Sequence, residues 1–129
     1  MEKILLIIRG LPGAGKSTLA EALNIRAVCT ADDWYVRNGI YKWNYMTIGE
    51  AHDWCKRKCR RFMQVGVERI IIANTSITAR AIEPYFDMAK EFDYKVFSII
   101  LENRLSMKNI HNVPEETLEN MKNKFEILL

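Results

Sequence analysis

Gly10-Leu11-Pro12-Gly13-Ala14-Gly15-Lys16-Ser17 follows G-x-x-x-x-G-K-[ST], a spacing that folds successive backbone N–H groups around a phosphate. The glycines supply the backbone freedom such a tight loop needs. Lys16 offers a mobile positive charge to the β and γ phosphates, and the Ser17 hydroxyl is placed to ligate Mg2+. The expected nucleotide-binding set is therefore Gly10, Leu11, Pro12, Gly13, Ala14, Gly15, Lys16, Ser17 and Thr18. The competing reading is a glycine-rich turn with no ligand. Two flanking features argue against it: Ile4 to Ile8 is an unbroken apolar run suited to a buried parallel strand, and Ser17 to Leu23 is made mostly of good helix formers. The implied cofactors are ATP, or another nucleoside triphosphate, and Mg2+.

A second chemical signal is Thr30-Ala31-Asp32-Asp33. A carboxylate there can project toward the γ phosphate, where an acceptor hydroxyl has to be oriented and deprotonated. One aspartate of such a pair can equally cap a turn. Asp32 is expected to be the general base and Asp33 the cap.

The elements that must position these groups alternate. After the first strand and helix comes a short strand over Arg26–Thr30. A polar and aromatic segment follows to Tyr45, with a turn at Asn38-Gly39. Thr47 and Glu50 have capping-box spacing ahead of a helix that runs to about Gln64 and ends at Gly66. Ile70-Ile71-Ile72 forms the heart of a third strand. Thr78 caps a helix to about Phe92, which Pro84 is expected to bend or break. Residues 94–101 form a fourth strand, and Pro114-Glu115-Glu116 opens a last helix carrying Leu118, Met121, Phe125 and Leu128. This pattern predicts an α/β fold, a three-layer P-loop NTPase sandwich whose parallel sheet has about four strands in the order 2-3-1-4, with helices on both faces. Asp32, Asn74, Thr75 and Glu102 then gather at the carboxyl ends of the strands, where such sheets bind ligands.

With 129 residues there is room for a single domain over 1–129. Nineteen Lys and Arg stand against sixteen Asp and Glu, a net charge of +3, which permits a polyanionic substrate without demanding one. No stretch approaches a membrane span, and the three cysteines form neither a disulfide framework nor a zinc set. A soluble, intracellular, cytoplasmic protein with reduced thiols is expected.

The phosphate loop, the Asp32-Asp33 pair, the Asn74-Thr75 step and Lys108-Asn109-Ile110-His111-Asn112-Val113-Pro114 resemble, in the same order and over nearly the whole chain, the polynucleotide 5′-hydroxyl kinase family, small P-loop kinases with an AAA-family ATPase-like domain. The resemblance implies ATP as donor, the 5′-hydroxyl end of RNA or DNA as acceptor, Mg2+, and a lid over about 103–113 in which Lys108 closes on the γ phosphate. It implies that Asp32 both holds and deprotonates the acceptor, and that Asn74 and Thr75 contact it. It also points to a separate ligase or phosphatase as partner. Three positions depart from the family. Tyr35 replaces an arginine that grips the acceptor phosphate, leaving Arg37 as a substitute. Lys108 replaces a lid arginine, leaving Arg104 as a rival cation. Asn74 replaces an acidic residue.

Other features have a plainer reading beside the functional one. Arg80 contacts an acceptor phosphate or is an exposed helix residue. Trp34, Tyr35, Tyr41, Trp43 and Tyr45 offer one stacking ring for a base or pin the segment to the sheet. Lys56, Arg57, Lys58, Arg60 and Arg61 lie on more than one face of a helix, so a solvated surface is favoured over a nucleic-acid track. His52 and His111 are assigned no catalytic role. Two rival functions fit the same residues: a kinase of small nucleosides, sugars or antibiotics, and a nucleotide-binding regulatory domain. The sequence leaves oligomeric state open.

Overall fold

In the computed structural model the described residues are 2–37, 40–41, 44–103 and 113–127. Strand β1 (Ile4–Arg9) leads into helix α1 (Lys16–Ala22), followed by β2 (Ala27–Cys29). A 3-10 helix over Ala31–Tyr35 runs into a two-strand ribbon, β3 (Val36–Arg37) and β4 (Ile40–Tyr41). Then come α2 (Ile48–Gln64), β5 (Arg69–Ala73), α3 (Ala79–Phe92), β6 (Lys95–Ile100) and α4 (Glu115–Lys124).

The main sheet is parallel, in the order β2-β5-β1-β6. Counting its strands alone, this is the expected 2-3-1-4. The ribbon β3–β4 lies outside that sheet and was not foreseen. The alternating pleat sends Leu5, Ile7, Ile70 and Ile72 into a larger core with α2 and α3, and Ile8, Ile71 and Ala73 into a smaller one with Ala20 of α1. The continuous apolar runs in β1 and β5 thus face a core on each side, as a central parallel strand requires.

Two local expectations are altered by the tertiary structure: a capping box fails, and of the bend or break expected at Pro84 the break does not occur. Thr47 does precede α2, but it makes no side-chain cap: its hydroxyl instead donates to the Asn44 carbonyl at 3.2 Å. The capping box with Glu50 therefore does not form. Pro84 does not break α3, which continues through it to Phe92. Burial of Ile82, Tyr85, Met88 and Ala89 against the sheet offsets the one helix bond that proline removes. Elsewhere the local signals hold. Thr78 caps α3 by accepting from the Ala81 N–H at 3.3 Å, and Gly66 has the positive φ of 79° that follows a helix end.

The last helix is shorter than its apolar spacing suggests. It stops at Lys124, and Phe125 is already extended, so Phe125 lies outside the helix; Leu128 lies outside the described residues.

Candidate active site

The loop from Gly10 to Gly15 joins the end of β1 to α1. Gly13 and Gly15 have φ of 84° and 98°, a region that side chains avoid. Gly10 is needed for a different reason. A Cβ there would lie 3.0 Å from the Ala14 Cβ and 3.1 Å from the Leu101 carbonyl oxygen. Gly10 and Leu11 support the site from behind, their carbonyls accepting from Lys16 Nζ at 2.7 and 3.0 Å. The Ala14 N–H closes the loop on the Leu11 carbonyl at 3.0 Å. Burial lowers the Lys16 ammonium from 10.5 to about 8, against an opposing pull from the Asp32 carboxylate.

In front of the loop is a cavity of about 290 Å³. Pro12, Gly13, Gly15, Lys16, Ser17 and Thr18 form one side, and Asp32, Asn74 and Thr75 also line it. These groups come from three strand ends far apart in sequence. Arg80 is exposed in the first turn of α3 and does not line the cavity, nor does Glu102. The Arg37 side chain, Arg104 and Lys108 lie outside the described residues.

The two aspartates separate within the 3-10 helix that follows β2. Asp32 lines the cavity, while Asp33 faces α2 with its carboxylate 4.0 Å from Lys58 Nζ. The capping role belongs to Thr30 rather than Asp33: the Thr30 hydroxyl accepts from the Asp32 N–H at 3.3 Å. Burial raises the Asp33 carboxyl, with Lys58 pulling it down and Asp32 adding to the rise.

The floor of the site is a continuous tie between segments. Asn74 is buried; its side-chain oxygen accepts from the Ala31 N–H at 2.8 Å, and its amide nitrogen meets Cys55 Sγ at 3.5 Å. Thr75 offers its carbonyl to the Gly10 N–H at 3.2 Å. The Ser76 carbonyl accepts from Arg9 Nε at 2.8 Å, and the Ile77 carbonyl from the Glu126 N–H at 2.6 Å. Four successive residues after β5 are thus held by the 3-10 helix after β2, the phosphate loop, β1 and the segment beyond α4. Arg9, only 1% exposed, also donates to the Glu126 carbonyl at 2.7 Å and lies under the Phe125 ring at 5.0 Å.

The expected lid begins and ends at the site. The Asn103 amide donates to the Gly13 carbonyl at 3.2 Å, and Val113 lines the cavity with Met121 of α4. Residues between them lie outside the described part.

His52, assigned no catalytic role from the sequence, sits on α2 and lines the same cavity. The residue is exposed on α2, and partial desolvation at the cavity edge lowers its pKa, the Asp32 carboxylate opposing. Its only legible signal was a place on the helix after the Asp32 segment. Trp34 and Tyr35, by contrast, do the plain job. Their rings meet edge to face at 5.3 Å, Tyr35 is buried, and its hydroxyl donates to the Asn44 carbonyl at 3.1 Å. Trp43 and the side chains of Tyr41 and Tyr45 lie outside the described residues.

The basic stretch of α2 is largely spent within the chain. Lys56 pairs with Asp53 at 3.1 Å, Lys58 lies over Trp54, and Arg60 meets Glu91 at 2.6 Å. The cysteines are free and buried. A hydrogen bond with Cys59 and burial push the Cys29 thiol up, and burial does the same for Cys55, so both stay protonated. Among the described residues no group of three His, Cys, Asp or Glu is arranged to hold a metal, and no helix is long and apolar enough to cross a membrane.

Residues 5–128 match the family model AAA_33, described as an AAA domain. The chain belongs to that P-loop family. Human NEDD4-binding protein 2 is 31% identical over 129 residues, covering 92% of this chain and 7% of that protein. The chain thus spans a small part of that relative's length. Among solved structures, a chain of the Pnkp1/Rnl/Hen1 complex matches with a TM-score of 0.62 at 18% identity, over 92% of this chain and 38% of that one. The APS kinase CysC of Mycobacterium tuberculosis matches at 0.56 and 12% identity, over 95% and 96%. Kti12 of Chaetomium thermophilum, solved with ADP-AlF3, matches at 0.59 and 12% identity, over 95% and 80%. At these identities the likeness is one of fold, and the AAA_33 domain here has the fold of P-loop kinases.

Proposed function

We propose that this AAA_33 domain is a phosphotransferase that moves the γ phosphate of ATP to the 5′-hydroxyl of an RNA or DNA end. The observation that carries this reading is the shared cavity: Asp32 lines the same space as Lys16 and Ser17 of the phosphate loop. A carboxylate across from a phosphate cradle is what transfer to a hydroxyl requires.

The acceptor oxygen forms a bond to the γ phosphorus, the bond from that phosphorus to the β–γ bridging oxygen breaks, and ADP leaves. The hydroxyl proton passes to Asp32. Lys16 releases the Gly10 and Leu11 carbonyls and turns to the phosphates, where its charge offsets that of the transferring group. Lys108 closes from the lid onto the same group. Ser17 would hold Mg2+, which would supply charge neutralisation to the polyphosphate. The donor set fits, since Mg2+ on a nucleotide takes one or two protein oxygens and fills its shell with phosphate and water. Thr75 and Arg37 are assigned to the acceptor; Arg80, outside the cavity, acts only if the nucleic acid extends across α3.

The second reading is a small-metabolite kinase. It is favoured by Tyr35, which stands where an acceptor-gripping arginine is expected and whose hydroxyl is already spent on Asn44. The fold shared with APS kinase supports it too. A regulatory domain without transfer is the third, opposed by the presence of Lys16, Ser17 and Asp32 together. The likeness to Pnkp1, solved with Rnl and Hen1, supports a domain that works beside a partner such as a ligase or phosphatase. A cytoplasmic address belongs to this reading as well.

Incubation with γ-labelled ATP and a panel of 5′-hydroxyl RNA, 5′-hydroxyl DNA, nucleosides and sugars separates these possibilities. Labelled oligonucleotide is the expected product. Label only on a small molecule selects the second reading, and label on none selects the third.

A further inference from the structure

The polar side chains lining the cavity differ in how far the fold has already used them. Tyr35 donates to Asn44, and Asn74 is committed at both ends of its amide. Ser76 and His52 are not so used.

Ser76 combines three features that the fold alone does not require. It is 7% exposed yet lines the cavity. Its φ is 50°, in the left-handed region where a side chain is strained and glycine is not. Among the described residues its hydroxyl has no hydrogen-bond partner, although its carbonyl is held by Arg9. A glycine there would meet every observed backbone bond without the strain and without a buried orphan hydroxyl. Strained backbone and an unpaired buried polar group at one residue, facing a cavity, are signs of a ligand contact.

His52 borders the same cavity as an exposed residue of α2, and no hydrogen bond within the described residues fixes its ring, which is therefore free to turn toward a ligand. Desolvation at the cavity edge lowers its pKa, toward the neutral ring, which has one N–H to donate and one nitrogen to accept.

We propose that Ser76 and His52 form the acceptor-recognition pair of this cavity, holding an oxygen of the acceptor so that its reacting hydroxyl meets Asp32. The oxygen is a neighbouring hydroxyl or a phosphate oxygen, both of which match an O–H and an imidazole N–H. The inference rests on the phosphotransferase reading and names residues that the phosphate loop and Asp32 do not supply.

The test uses Ser76→Gly, Ser76→Ala and His52→Ala, assayed by label transfer to whichever acceptor the wild-type protein phosphorylates. Nucleotide titration and thermal unfolding run in parallel. Ser76→Gly is the informative variant, because glycine relieves the φ of 50° while deleting the hydroxyl. The expected result is an unfolding midpoint equal to or above wild type, ATP affinity within about twofold, and an acceptor KM raised roughly 10-fold, the usual cost of one lost polar contact. His52→Ala is expected to raise the acceptor KM similarly. An oligonucleotide with a terminal-nucleotide 3′-phosphate, compared with the free nucleoside, tells which oxygen is held: a penalty seen only with the former assigns the phosphate.

Ser76→Gly with an unchanged acceptor KM overturns the proposal, as does a KM rise matched by equal loss of ATP binding and stability. In both cases transfer by the wild type leaves the kinase reading standing. Wild-type protein that labels no acceptor overturns the kinase reading, and this inference with it.

Discussion

The Asn74 side-chain oxygen accepts the Ala31 N–H at 2.8 Å, so the end of β5 fixes the backbone immediately before Asp32. The N–H can only meet the carboxamide oxygen, which sets the amide orientation and leaves its nitrogen to Cys55. Asn74 therefore positions Asp32 through the backbone. Its amide is spent on this tie, a role an ionised carboxylate would fill poorly, since it could not donate to Cys55 and would be costly to bury.

Asn74→Ala should cost about 1–3 kcal/mol of stability, because the Ala31 N–H loses its buried partner. Turnover should fall more than ATP affinity as Asp32 loses its anchor. Urea unfolding and label-transfer kinetics check the two halves separately.

Asp32→Asn should lower transfer by about 10²–10⁴ while nucleotide binding persists, the usual loss for a general base. Asp33→Asn breaks only a half-exposed pair 4.0 Å from Lys58, so stability should change by no more than about 1 kcal/mol. Equal activity of Asp32→Asn and wild type would leave the phosphate loop without a catalytic partner.

Lys16 is lowered to about 8 in the free protein, and a bound polyphosphate favours its charged form. Nucleotide affinity should fall as pH rises through 8, with a proton taken up on binding near that pH. Calorimetry in two buffers of different ionisation enthalpy measures the uptake. The folded-state value lies below the ordinary 10.5, so the unfolded chain binds more protons between these pH values. Apo stability from this group thus rises from about pH 8 to pH 10.5. Lys16→Ala should remove that rise and abolish transfer with the fold retained.

Arg9→Leu should destabilise by about 3 kcal/mol, since two carbonyls, those of Ser76 and Glu126, lose a charged donor in a buried place. Arg9→Lys should recover only part of this, because lysine lacks the planar fork that reaches both. Thermal unfolding of the two variants gives the comparison.

Sequence by itself determined the phosphate loop, the parallel sheet and its strand order. These rest on local or periodic facts: glycines at φ of 84° and 98°, apolar runs in β1 and β5, and helices between strands. It also placed Asp32, because a residue leaving the end of a parallel strand faces the ligand edge wherever the rest of the chain goes. Only the tertiary structure decided how the remaining polar groups are spent. Thr47 abandons its capping box for the Asn44 carbonyl, Asn74 is consumed by Ala31 and Cys55, and Arg9 is buried under a segment 117 residues away. Ser76 and His52 reach the cavity from a loop and a helix that share no local pattern. A hydrogen bond has no periodicity to betray it in the chain. Its donor is assigned by whichever acceptor the packed elements bring within about 3 Å, and that choice is made only when the strands and helices have met.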